Sequence, residues 1–213
     1  MTENSLDGAT TLRWLQNCAD TYVQHKDSLT ELDAAIGDAD HGANMARGFT
    51  AVQGKLSGLK DKDLGTIFKT VAMTLISTVG GASGPLYGTF FLQAATGANG
   101  KMELTHEELA AVFGAGLQGL MNRGKAVVGE KTMVDALVPA LEALKPVAHD
   151  AIAAAVDRAV TAAVKGADST VPLVAKKGRA SYLGERSAGH LDPGAASSVF
   201  LLKALQQAIH SAA

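Results

Sequence analysis

Apolar residues in this 213-residue chain recur every three or four positions, and no two alternating runs flank a tight turn. That pattern calls for helices and leaves a sheet no part in organising the fold. Leu12, Leu15, Ala19, Tyr22 and Val23 share one helical face. A short helix is predicted over 29–36, with Thr30 and Asp33 resembling a capping box and Gly37 able to end it. The stretch 43–59 reads as helix, weakened by Gly48 and Gly54. Asp63 is placed to cap an apolar helix running to Val79, and Pro85 suits the first turn of a helix through Ala95. Thr105 with Glu108 forms a second capping box, opening a helix that Gly124 can close. Residues 133–144 read as helix, with Pro139 expected to kink it or mark its start. The alanine-rich stretch 151–164 is helical. Asp192 and Pro193 mark the start of the last helix. About eight helices with short connections predict an all-α fold: one antiparallel barrel or bundle, a single domain over 1–213.

Composition narrows the function. The 19 basic and 21 acidic side chains leave a formal charge of -2, so no basic excess is available to hold nucleic acid or anionic lipid. Cys18 is the single cysteine and cannot form an internal disulfide or a cysteine metal cage; it lies on an apolar helical face and reads as core. No apolar run reaches the ~20 residues of a spanning helix. The opening MTENSLDGATTLRW lacks a basic patch followed by an apolar run, so no secretory leader is expected. The expected address is the cytosol.

Glycine is abundant, 23 of 213 residues, and it gathers in three loops. In LDAAIGDADHGANMARG, Asp33, Asp38 and Asp40 fall within eight residues. With Asp33 ending a helix and the other two in the loop, all three can converge. Converging carboxylates repel unless a cation compensates, and an oxygen-only set suits Mg²⁺ or Ca²⁺. The spacing is not that of an EF-hand, and a solvated turn is the alternative reading. In STVGGASGPLYGT, Gly80, Gly81 and Gly84 precede a helix start, with Ser83 able to cap. Unpaired N–H groups and the helix dipole make such a loop a phosphate cradle; close helix packing through glycine is the alternative. Neither a Walker A nor a Rossmann fingerprint is present. In KKGRASYLGERSAGHLDPGAASS, Lys176, Lys177, Arg179 and Arg186 bring positive charge, and Asp192-Pro193 brings a second helix N-terminus. Arginine can neutralise charge on a transferring phosphoryl group; an ordinary long surface loop is the alternative, though structureless loops of this length are uncommon in compact domains. His41 follows the aspartates, in reach of a phosphate bound there. Together the three loops supply the parts of a nucleotide-dependent phosphotransferase.

Four motifs, AIGDADHGANMARGF, VGGASGPLYGTFF, GEKTMVDAL and KGRASYLGERSAGHLDPGA, resemble the nucleotide-binding (L) subunits of dihydroxyacetone kinases. The resemblance runs in order from about Leu12 to the C-terminus. It implies a barrel of eight antiparallel helices with the nucleotide at one end. Asp33, Asp38 and Asp40 would hold two Mg²⁺ ions bridging the phosphates of ADP or ATP. His41, Gly42, Ala43, Asn44, Ala82 and Ser83 would contact phosphates or ribose, and Gly124 and Met133 would help form the adenine pocket. Arg179 would approach the terminal phosphate as the catalytic side chain, and Asp192, Pro193 and Gly194 would close the site.

The same resemblance implies a separate K subunit that carries dihydroxyacetone covalently on a histidine. In one branch bound ADP is rephosphorylated in place by a phosphotransferase-system protein; in the other, ATP is the soluble donor. The chain length and the GDADHG and GERSAGH wording favour the first. Three alternatives stand beside it. A fatty-acid-kinase nucleotide domain shares the aspartate loop, but in longer chains. A kinase for another ketose or aldose, such as erythrulose, would differ on the partner subunit. A non-catalytic role would have the chain report its nucleotide state to a partner such as a transcription regulator.

Overall fold

The computed structural model describes residues 5–147 and 150–211; the first four residues of the opening stretch read above lie outside them. Strand β1 (Ser5–Asp7) leads into helices α1 (Gly8–Gln24), α2 (Lys26–Ile36) and α3 (His41–Gln53). After a 3-10 turn at Leu56–Leu59 come α4 (Leu64–Thr78) and α5 (Ser83–Gly97). Strand β2 (Glu103–Thr105) precedes α6 (His106–Gly124), α7 (Met133–Leu144) and α8 (Ile152–Asp168). A 3-10 segment at Arg179–Ser187 lies on the way to α9 (Pro193–His210).

The helix starts are fixed by side chains that satisfy first-turn amides. Asp7 accepts from Thr10 N at 2.7 Å, Asp63 from Thr66 N at 3.1 Å, and Asp192 from Ala195 N at 2.8 Å. Thr105 with Glu108 and Thr132 with Asp135 form reciprocal capping boxes.

Eight helices close a ring in the order α1, α3, α4, α5, α6, α7, α8, α9 and back to α1, while α2 packs outside against α3 and α9. Alternate connections meet at the same end, as an up-and-down ring requires. At one end Leu64 N donates to Lys101 O at 2.7 Å, His106 Nε2 lies 2.7 Å from Leu144 O, and the antiparallel β1–β2 ladder pairs Ser5 with Thr105. The connections after α2, α4, α6 and α8 open at the other end. Inside the ring, Trp14 meets Phe68, Phe91 and Phe113 at ring centroid distances of 6.3, 5.8 and 5.6 Å, and its Nε1 donates to Leu201 O at 3.0 Å. Cys18 is buried there. Among the described residues no helix is long and apolar enough to cross a membrane.

The fold is the all-α barrel expected, with local corrections. There is a short ladder where no strand was read, because three-residue strands are too brief for a period-two signal. Nine α-helices are described rather than about eight, since α2 is an extra outside the ring. Thr30 and Asp33 form no capping box: α2 already begins at Lys26, Thr30 donates to Lys26 O at 2.9 Å, and Asp33 turns to the following loop. Val23, placed on the apolar face, is 57% exposed. The helix read over 43–59 ends at Gln53, with the 3-10 turn carrying the remainder. Helix α7 starts at Met133 and continues through Pro139.

Candidate functional site

The polar end of the ring holds a cleft of about 440 Å³, the size of a small-molecule site. One wall is the loop between α2 and α3. Asp33 sits on the last turn of α2, largely buried, and its Oδ2 accepts from Asp40 N at 2.9 Å and His41 N at 3.1 Å. Those two bonds fold the loop back onto the helix end. Between Asp38 and Asp40, Ala39 takes a left-handed backbone with φ of 61°, which is costly for a residue with a Cβ. The outcome is that one carboxylate oxygen from each of Asp33, Asp38 and Asp40 lies within 4.8 Å of the others. The convergence expected from the sequence is therefore present.

Whether these residues fit a divalent ion is decided by charge. Three carboxylates meet, and among the described residues one ion pair answers them: Arg179 Nε lies 2.9 Å from Asp38 Oδ2. The excess negative charge and the oxygen-only donors match a hard cation that leaves positions open for phosphate.

The second wall is the loop between α4 and α5. Gly80, Gly81, Ala82 and Ser83 line the cleft. Gly81 has φ of 63°, and a Cβ there would meet nothing within 4 Å; glycine is needed for the turn, not for packing. The turn brings the first amides of α5 to the cleft, where they have no partner within the helix.

His41 lies beneath both loops. Its Nδ1 is 3.1 Å from Ser83 Oγ and its Nε2 is 2.9 Å from Ser197 Oγ, which lies 2.8 Å from Tyr87 OH. Burial pushes the imidazole below its usual pKa despite the pull of Asp33 and Asp40, so the ring is neutral at neutral pH. It ties α3 to α5 and α9.

Of the other residues named from the sequence, Ala82, Ser83, Gly124, Met133, Arg179, Asp192, Pro193 and Gly194 all line the cleft. Gly42, Ala43 and Asn44 do not appear in its lining. A Cβ on Gly42 would stand 1.9 Å from Lys26 O, so Gly42 serves the close approach of α3 to α2. Asn44 is buried and accepts from Arg47.

The third wall is the segment between α8 and α9. Ile36, Ala175 and Ala180 form a small apolar cluster apart from the main core, with Leu183 against it. This cluster seats the 3-10 segment over the end of α2 and so brings Arg179 to Asp38. Asp192 caps α9 from a buried position, and burial raises its carboxyl to about 7 in spite of nearby Lys131.

Lys177, named in the sequence as part of the basic loop, also lines the cleft, as do Lys131, Arg123 and the apolar pair Leu86 and Leu120, to which the sequence assigns no role. Lys131 was visible only as one letter of the GEKTM motif. Its partners lie 39 to 59 residues away, beyond any local signal.

Comparison with known proteins agrees with this geometry. The DAK2 domain family matches residues 35–207. The ADP-binding subunit DhaL of the PEP-dependent dihydroxyacetone kinase of Escherichia coli is 48% identical over 203 residues, covering 94% of this chain and 97% of that protein. The ADP-binding subunit DhaL of the PTS-dependent dihydroxyacetone kinase of Lactococcus lactis is 44% identical, with 94% and 97% covered. The L-erythrulose 1-kinase of Mycolicibacterium smegmatis is 36% identical over 89% of this chain, but over only 33% of its own length. Among solved structures, the dihydroxyacetone kinase of C. freundii in complex with AMP-PNP and Mg²⁺ superposes with a TM-score of 0.70 at 27% identity, covering 93% of this chain and 33% of that one. This chain belongs to the DAK2 family.

Proposed function

We propose, with membership of the DAK2 family as the premise, that this chain is the nucleotide-carrying subunit of a dihydroxyacetone kinase, working with two Mg²⁺ ions. It transfers the γ-phosphoryl group of bound ATP to a hydroxyl of dihydroxyacetone held on a separate K subunit, leaving ADP on this chain. The observation that carries this reading is the meeting of Asp33, Asp38 and Asp40 within 4.8 Å at the mouth of a cleft floored by a helix start. The PEP-dependent and PTS-dependent kinases of E. coli and L. lactis to which this chain is similar favour a phosphotransferase-system donor that regenerates the bound nucleotide.

In this reading Asp33, Asp38 and Asp40 would hold the ions, which when bound supply charge neutralisation at the phosphate oxygens. The amides of Gly81, Ala82 and Ser83 would face the phosphates. His41, neutral and bonded on both nitrogens, keeps Ser83 in place from below. Met133, Gly124, Leu86 and Leu120 give a wall suited to a flat base. Arg179 brings a guanidinium to the same point as Asp38, where charge builds during transfer. Asp192, Pro193 and Gly194 close the base of the cleft at the start of α9. The acceptor hydroxyl comes from the partner subunit, so no nucleophile is required of this chain.

The reading takes 1–213 as a single nucleotide-binding domain with a cytosolic address. It also includes a transcription regulator as a further partner that senses the nucleotide state; a pull-down with and without ADP tests that contact. An ATP-dependent kinase for another ketose is the second reading, favoured by the likeness to an erythrulose kinase. Chromatography of nucleotide released from the denatured protein separates the two: co-purified ADP supports the first, an empty site with weak ATP binding the second.

The site itself is tested by Asp38→Asn and Asp40→Asn. Each is expected to abolish ADP binding in calorimetry while leaving the far-UV circular dichroism helical. Tight ADP binding retained in either variant overturns the metal assignment.

A further inference from the structure

The segment that delivers Arg179 leaves the barrel at Thr170 and returns at Asp192. Its two feet lie side by side: Gly189 N donates to Val171 O at 2.7 Å and Asp192 N to Thr170 Oγ1 at 3.0 Å. Between them is Lys131, 1% exposed. Its Nζ donates to Thr170 O at 2.6 Å, to Val171 O at 3.5 Å and to His190 O. All three partners are backbone carbonyls, two on the outgoing foot and one on the returning foot. Asp135 and Asp192 act on the ammonium only through space.

A buried ammonium is costly unless its protons are taken up. Lys131 precedes α7, which starts at Met133, and its side-chain hydrogen bonds go to the 170–192 segment. The backbone at Lys131 is itself left-handed, with φ of 62°, a conformation disfavoured for a residue with a Cβ. A charge and a strained backbone at one position, both serving contacts to a single segment, point to that segment as their purpose.

We infer that Lys131 is a positioning residue: it fastens both feet of the 170–192 segment to the start of α7, and so holds Arg179 over the three aspartates. The other contacts are fewer and lie at one point: Lys176 N donates to Glu130 O at 3.1 Å and Lys177 Nζ lies 3.9 Å from Glu130 Oε2, while Ala175 N donates within the segment to Ser187 Oγ at 2.8 Å. In the small apolar cluster, Ala175 and Ala180 of the segment meet Ile36 of α2.

This inference rests on the function proposed above only for its kinetic arm. The test is a double-mutant cycle of K131M with R179A in the chain reconstituted with its partner subunit, alongside limited proteolysis of each variant. Methionine keeps the stem and the left-handed backbone cost while removing the donors. In the wild-type background R179A is expected to lower kcat about 100-fold. In the K131M background the further loss is expected to be under about threefold, because Arg179 is no longer held where it acts. Cleavage within 172–189 is expected to quicken at least about tenfold, with the helical signal unchanged. A purely structural lysine would instead lower the melting temperature and leave the R179A factor intact. An equal R179A factor in both backgrounds overturns the inference, as does wild-type protease resistance in K131M. If the wild-type chain transfers no phosphoryl group, the function proposed above fails, and the proteolysis arm still decides the anchoring. K131Q, too short to span both feet, replaces K131M with the same expectations should the latter fail to fold.

Discussion

The helical ring and the 170–192 segment are built by opposite means. The ring buries a continuous apolar interior, with Trp14 touching aromatic rings from α4, α5 and α6. The segment seats Ala175, Ala180 and Leu183 of its own on Ile36 of α2 and is otherwise held by polar contacts, those of Lys131 and Arg179 among them. Apolar burial is non-directional and additive, so the ring stays rigid. A few directional bonds set position accurately but give way together. The cleft thus has walls anchored in apolar packing and one wall held in place by a few directional bonds.

That contrast can be broken from either side. Trp14→Ala attacks the ring and should cost about 3–5 kcal/mol of stability, read as a lower urea midpoint. Its bond to Leu201 O is lost as well. The same stability loss from a change in the 170–192 segment would erase the distinction. Arg179→Ala attacks the segment and should slow transfer about 100-fold, roughly 3 kcal/mol in the barrier, with ADP affinity and melting temperature little changed. A large loss of affinity with kcat preserved would make Arg179 a binding group instead.

Asp192 joins the two regions, and its titration sharpens the comparison. Burial raises its carboxyl to about 7, above the ~3.9 of an unfolded aspartate. Between those values the native state holds a proton that the unfolded chain has released. Stability therefore falls as pH rises from about 4 to about 7 and levels off above. Asp192→Asn keeps a capping side chain and should remove this part of the slope, on the order of 4 kcal/mol by pH 8. Chemical denaturation at several pH values checks it, and parallel profiles for the two proteins would refute it. The smallest effect is expected from Thr132→Ala, which removes one cap from α7 at about 1 kcal/mol and should leave the 170–192 segment as protease-resistant as before.

The sequence announced the ring well because its signals are local. Asp63, Thr105 with Glu108, and Asp192 with Pro193 stand at helix starts in the structure as they do in the sequence. Asp33, Asp38 and Asp40 were legible as a group because they come from one loop. What closes them into a site was not: the left-handed turn at Ala39 and the two amides that Asp33 receives follow from how α2 and α3 pack. Gly42 shows the opposite failure. It belongs to a motif, yet its place is explained by the approach of α3 to Lys26 O. Lys131 was silent because every partner it has is a distant backbone carbonyl.

The most direct test titrates Mn²⁺ into the ADP-saturated chain and counts bound ions by electron paramagnetic resonance, in wild type and in Asp40→Asn. Two tightly held ions in wild type, at least one of them lost together with ADP retention in the variant, is the expected result. Equal ion binding and equal ADP retention in both proteins would show that the acidic trio grips no nucleotide-linked metal, and the account would fail at its centre.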